Sequence, residues 1–178
     1  MAILLIIIVF VVVLATHIKI VPKSYRYVIE KRGNYKTTWD PGFHFRMPFE
    51  TIRKSVPMHE MSITLQPSQV ITKDNIVITA DAFMFYSIYD PRLYAYGIGD
   101  ISATLNALST ALLRDKIGQM EREQCLRDRN TISKEMTKAL DQAVDKWGIK
   151  VNKFEIKTLM PTGDIHEAVE HQLKADRK

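Results

Sequence analysis

Ile76-Val77-Ile78-Thr79-Ala80-Asp81-Ala82-Phe83-Met84-Phe85-Tyr86-Ser87-Ile88-Tyr89 reads as one long β-strand. Successive side chains of a strand point to opposite sides. Ile76, Ile78, Ala80, Ala82, Met84, Tyr86 and Ile88 therefore share one face, and Val77, Thr79, Asp81, Phe83, Phe85, Ser87 and Tyr89 the other. Neither face is strongly polar, so both are expected to be covered, as in the middle of a sheet packed by helices. Thr72-Lys73-Asp74-Asn75 precedes the strand with turn chemistry, and Asp90-Pro91 ends it.

Upstream the pattern stays β. Tyr25 to Lys31 alternates, Arg32-Gly33-Asn34 supplies a turn, and Asp40-Pro41-Gly42 supplies another. The next stretch is dense in aromatics, with Trp39, Phe43, Phe45 and Phe49 broken by Pro41, Gly42 and Pro48. Two readings stand for it. Alternating Phe43 and Phe45 could enter the core, or the loop could dip into a membrane interface, where aromatic rings prefer to sit. Downstream the period becomes helical. Asp100 is a good N-cap for a stripe of Ile101, Leu105, Leu108 and Leu112, with Met120 beyond. Ile132, Met136, Leu140, Val144 and Trp147 mark a second helix closed by Gly148. A strand resumes over 149–157, and a third helix is expected after Pro161, with Ile165, Ala168 and Gln172 on one side.

The N-terminus sets the solvent in which the chain works. Residues 2–16 carry no charge and one hydroxyl, and a basic stretch follows at once. Taken to Ile20, the segment reaches about 20 residues, or roughly 30 Å as a helix. Ile6, Val9 and Val12 would face lipid, with His17 and Lys19 at the headgroup level. A cleaved secretory signal competes, since Val13 and Ala15 make a tolerable cleavage pattern, but no basic segment precedes the run. A core helix fits less well, because apolar residues lie on every face. The reading is a retained N-terminal membrane anchor, single-pass or monotopic.

Charge orients it. From residue 17 to residue 54 stand Lys19, Lys23, Arg26, Lys31, Arg32, Lys36, Arg46, Arg53 and Lys54, against Glu30, Asp40 and Glu50. The formal net charge of +5 thus sits beside the anchor. Positive residues after the span favour a cytoplasmic body and attract anionic headgroups. A nucleic-acid partner is not expected, because no recognition motif accompanies the surplus. Cys125, the lone cysteine, excludes an intramolecular disulfide framework and suits a reducing compartment.

No catalytic constellation stands in the sequence. His166 and His171 are five apart, about 140° around a helix, and cannot clamp one zinc as a four-residue spacing does. Gly97 and Gly99 only begin a phosphate-cradling pattern. Nucleophile elbows and paired cysteines are missing. Neither enzyme activity, cofactor nor metal is expected.

The order of motifs resembles the stomatin and prohibitin superfamily, also called SPFH or band 7 proteins. Ile20-Val21-Pro22 follows the anchor; Glu30, Gly33 and Tyr35 come next, then Pro41-Gly42-Phe43-His44-Phe45 and Pro48-Phe49. Gln69-Val70-Ile71-Thr72-Lys73-Asp74-Asn75 is the most recognisable stretch. Asp81-Ala82, Asp90-Pro91, Leu113-Arg114, Ile117-Gly118, Arg129, Trp147-Gly148-Ile149-Lys150-Val151 and Glu155-Ile156-Lys157 complete the set, closest to the bacterial stomatin-like branch. Arg32, Asn34, Arg122, Lys146 and Thr162 depart from the family pattern. The long coiled coil of relatives is represented only by residues 164–178.

The resemblance implies an α+β fold: a curved, largely antiparallel sheet packed by helices, arranged as an anchor (1–20), an SPFH domain (21–160) and the start of an amphipathic or coiled-coil helix (161–178). It implies a membrane-anchored scaffold that oligomerises, with itself or with related SPFH proteins, to organise membrane microdomains and modulate membrane proteases or channels. Trp39, Phe43, Phe45 and Phe49 are the expected bilayer contacts beside the anchor. Arg114, Glu121, Arg127 and Arg129, with Ile165, Ala168 and Gln172, are the expected oligomer seam. The alternative is a recruiting or capping module for one membrane protein complex that forms no ring.

Overall fold

The computed structural model describes residues 17–161. The expectations for Ile6, Val9, Val12, Ile165, Ala168 and Gln172, and for the helices that would carry them, lie outside the described residues. Among the described residues no helix is long and apolar enough to cross a membrane. The described residues divide into two compact units, one holding residues 17–59 with Ile88–Gly99, the other Glu60–Ser87 with residues 100–161. The architecture is α+β, as expected, but three separate sheets replace the single curved one.

In the first unit, β1 (Ile18–Val21) pairs with β4 (Gly42–Phe45), and β2 (Tyr25–Lys31) is flanked by β3 (Asn34–Trp39) and β5 (Glu50–Pro57). Ile18–Ile20 was expected to finish the anchor helix. It is strand instead, because its backbone finds a ready partner in β4. Arg32 and Gly33 turn β2 into β3 with φ of 53° and 80°, the left-handed pair that matches strand twist in a two-residue hairpin. Val21, Ile29 and Trp39 form a buried cluster, with Tyr27 and Ile52 packed against it. Helix α1 (Pro91–Gly97) was not foreseen, although its signal was present. Asp90 caps it by accepting from the backbone N–H groups of Arg92 and Leu93, and Pro91 fits the first turn. Tyr96 Oη donates to Glu30 Oε1 at 2.9 Å.

The second unit is built on β8 (Val77–Ile88). Strands β6 (Met61–Thr64) and β7 (Ser68–Ile71) pair with it, and β9 (Ile149–Pro161) pairs with it too. Ile78, Ala80, Ala82, Met84, Tyr86 and Ile88 are buried, while the opposite face, expected to be covered as well, is only half-buried. Phe83 and Phe85 make that face look like core in the sequence, but they shelter each other edge to face at 5.6 Å.

Helix α2 (Ile101–Gly118) buries Leu105, Ser109, Leu113 and Ile117. The stripe is rotated from the one read through Leu108 and Leu112, because small Ser109 occupies its middle. Helix α3 (Arg122–Arg127) is short and buries Cys125. Burial pushes the Cys125 thiol pKa up, as suits a packed hydrophobe. Helix α4 (Arg129–Val144) buries Ile132, Met136, Leu140 and Val144 as read from the sequence, and a 3₁₀ turn ends at Gly148 with φ of 68°. The Thr72–Asn75 turn fastens β7 and β8 to the helices. Lys73 N donates to Met120 O at 2.9 Å, and Asp74 Oδ1 accepts from Arg122 N at 3.2 Å.

Ser109 Oγ is buried and has no hydrogen-bond partner among the described residues. Removing an unpaired buried hydroxyl relieves its desolvation cost, and alanine is the better helix former. Ser109→Ala should therefore stabilise the fold by about 1 kcal/mol, read as a rise of roughly 2–4 °C in thermal midpoint.

Candidate membrane-contacting surface

In the β1–β4 ribbon Ile18 stands opposite Phe45, Lys19 opposite His44, Ile20 opposite Phe43 and Val21 opposite Gly42. Opposed residues share a face, and so do residues two apart. Ile18, Ile20, Phe43 and Phe45 thus project from one side, and Lys19, Val21 and His44 from the other. The inner side is built into the unit. Val21 is buried with Trp39, and the His44 ring lies flat on Trp39 with centroids 4.9 Å apart. A His44 ring nitrogen is 2.7 Å from Asp40 O. On the outer side the four apolar side chains are between 48% and 80% exposed. His17 stacks on Phe45 at 5.8 Å, so the chain leaving the N-terminal run joins the ribbon directly.

The apolar surface continues past β4. Met47 is 53% and Phe49 73% exposed, in the turn that leads into β5. Phe49 has φ of 68°, a conformation that costs a non-glycine residue about 1–2 kcal/mol. The Arg32 guanidinium lies 5.8 Å from the Phe49 ring centroid, a cation–π distance. Six exposed large apolar side chains within 32 residues of chain are more than scattered surface hydrophobes.

Two expectations change at this surface. Trp39, expected at the bilayer, is buried, because β3 pairs with β2 and carries its ring inward. Phe43 and Phe45 do not enter the core, because register with Ile20 and Ile18 turns them outward. Alternation in the sequence located the strand without saying which of its faces is solvated.

Charge around the ribbon is sorted by pairing. Arg26 meets Asp40 at 2.8 Å, Arg53 meets Glu30 at 3.6 Å, and Lys36 meets Glu50. Each acid of this region thereby offsets one cation, leaving the surplus on Lys19, Lys23, Lys31, Arg32, Arg46 and Lys54. Lys54 is the member drawn inward. Its ammonium sits 4.1 Å from the Tyr94 ring centroid, and burial pushes its pKa below the ordinary lysine value. Glu50 is buried, and the Lys36 ammonium bonded to it holds its carboxyl below the usual glutamate value against the opposing effect of desolvation.

Of the residues expected at an oligomer seam, the described ones, Arg114, Glu121, Arg127 and Arg129, lie in the second unit. Arg114, Glu121 and Arg127 are exposed. Arg127 pairs with its neighbour Asp128 at 3.6 Å. Arg129 is engaged within its own unit, where its guanidinium donates to Ile156 O and, at 2.9 Å, to Lys157 O.

Comparison with known sequences agrees with this architecture. The profile of the SPFH domain / Band 7 family matches residues 19–178. This chain belongs to that family. A relative from Methanothermobacter thermautotrophicus is 36% identical over 174 residues, covering 98% of this chain and 55% of the relative. A Mycobacterium tuberculosis protein is 30% identical over 169 residues, or 94% of this chain and 44% of the relative. Human mitochondrial stomatin-like protein 2 is 26% identical over 164 residues, 92% of this chain and 46% of that protein. The chain spans about half the length of the curated relatives it matches. As an SPFH protein it combines antiparallel sheets with helices, and the apolar ribbon lies at the start of the matched region.

A carboxyl whose folded pKa is depressed stabilises the fold above its unfolded value, and that contribution is lost as pH falls through the folded value. For Glu50 the window lies below the ordinary value of 4.5. Glu50→Gln should lower the thermal midpoint at pH ~7 and flatten its decline between pH ~5 and ~3. Asp74, held low by its hydrogen bond from Thr72, supplies part of the slope that remains.

Proposed function

We propose that this chain is a membrane-anchored SPFH scaffold whose first unit rests on the bilayer through the β1–β4 ribbon and the Met47–Phe49 turn. The observation that carries the reading is the outward face of Ile18, Ile20, Phe43 and Phe45. It begins where the apolar N-terminal run ends, and Lys19 and Arg46 adjoin it in the sequence, outside the ion pairs of the described residues. Burying apolar surface in the interface supplies attraction, and Lys and Arg near anionic headgroups add to it. The residues from 2 to 16 are a monotopic anchor in this reading, since 15 residues make only about 22 Å of helix, with the folded units on the cytoplasmic side. The work is organisation of the membrane and its proteins, not chemical turnover. Membership of the SPFH family supports that class of role.

We infer further that the protein assembles into homo-oligomers or mixed oligomers with related SPFH proteins, with Arg114, Glu121 and Arg127 at the contacts. Membrane proteases or channels are the class of protein such an assembly would modulate.

Two measurements test these statements. With residues 1–16 removed, the folded chain should sediment with anionic vesicles, and Phe43→Ser with Phe45→Ser should weaken that binding at least about tenfold. Unchanged sedimentation of the folded double variant refutes the ribbon as a contact. Extracted from membranes in mild detergent, the whole chain should show a native mass of many protomers. A monomer would remove assembly from the proposal.

A further inference from the structure

We propose that Glu50 is a positioning residue that presents Phe49 to the bilayer, a role that rests on the membrane-contact reading of the ribbon. Met47-Pro48-Phe49-Glu50 closes on itself. Glu50 N donates to Met47 O at 3.2 Å, and Met47 N donates to Glu50 Oε2 at 3.0 Å. Pro48 followed by a residue at positive φ is the pattern of a type II turn, whose third position ordinarily takes glycine. Here that position holds phenylalanine. Its ring is not repaid by core packing, since it is the second most exposed large apolar side chain of the described residues. Backbone strain at a solvent-facing aromatic persists only where the surroundings over-determine it, and such strain gathers at sites of function.

The over-determining group is the Glu50 carboxylate. Glu50 is 5% exposed, and both oxygens are committed, Oε2 to Met47 N and Oε1 to the Lys36 ammonium on β3. Lys31 on β2 stands opposite Glu50 in register and adds a second cation on that side. The turn is thus tied to β3 through one side chain. A neutral amide at this position keeps the size of the group and loses its ionic hold on Lys36. The turn is then free to leave the left-handed region and withdraw the Phe49 ring.

The test uses the full chain in liposomes, with a nitroxide attached through Met47→Cys. Cys125 is buried, so the label goes to the new thiol. In the parent the label should be relaxed mainly by lipid-dissolved oxygen. Glu50→Gln should shift it toward relaxation by an aqueous nickel chelate, and Phe49→Gly should do the same while raising the thermal midpoint. The two substitutions together should shift the label no further than Phe49→Gly alone. A label indifferent to Glu50→Gln overturns the proposal, and so does an equal shift by Glu50→Gln in the Phe49→Gly background. A second label through Ile20→Cys separates the two readings. If it reports lipid while position 47 ignores Glu50, only the positioning role fails. If it reports water, the ribbon contact fails and the positioning role with it.

Discussion

Pairing on both edges of β8 is the condition on which the second unit rests. Once β6 and β7 take one edge and β9 the other, the direction of every β8 side chain is fixed, and a slip of one residue would exchange the faces. The face of Ile78, Ala80, Ala82, Met84 and Tyr86 is buried, and α2 lies against β7 and α4 against β9, the strands that border β8. Helix α4 also bonds β9. Asp141 accepts from Val151 N at 2.9 Å, Thr137 accepts from Phe154 N at 3.0 Å, and Arg129 donates to the carbonyls of Ile156 and Lys157. Positions 129, 137 and 141 fall on nearby parts of one helix face, so a single helix satisfies strand groups that would otherwise invite another chain.

The same alternation produces the surface of the first unit, with the opposite result. In the β1–β4 ribbon one face has a core to enter, formed by Trp39, Ile29 and the ring of His44, and the other has none. A large apolar side chain gains about 1.5–3 kcal/mol when fully buried. Four such groups on one ribbon face leave much of that free energy unrealised in the isolated chain. In the proposed contact, a bilayer interface would recover it without changing the fold. The nearby charge follows a similar division: Glu30, Asp40 and Glu50 each hold one cation in place, and the surplus Lys and Arg join none of these three pairs. Salt screens the exposed charges within about 8–10 Å but leaves the apolar contribution intact, so the two attractions are separable.

Local chemistry made much of the architecture legible. Alternation marked β2 and β8, Arg32-Gly33 and Asp40-Pro41-Gly42 marked turns, and Ile132, Met136, Leu140 and Val144 marked α4, because each signal is written within a few residues of chain. Where several arrangements satisfied the same local pattern, the reading went astray. The Ile18–Ile20 segment suits lipid as helix or a sheet as strand, and its partner lies more than twenty residues away. Leu108 and Leu112 are as apolar as the residues α2 buries, yet the packing turns Ser109 inward between Leu105 and Leu113.

The composition of this region could be read from the chain: a basic surplus after the apolar run, and an aromatic segment within it. Which aromatics face outward could not. Trp39, Phe43 and Phe45 sit within seven positions of one another with similar hydrophobicity, and their fates differ through pairing alone. Trp39 is carried inward by β3 against β2, while Phe43 and Phe45 are turned outward by register with Ile20 and Ile18. Residue type and spacing are local properties, so the sequence states them. The face a residue presents is a property of its partner strand, and it exists only when the strands have met.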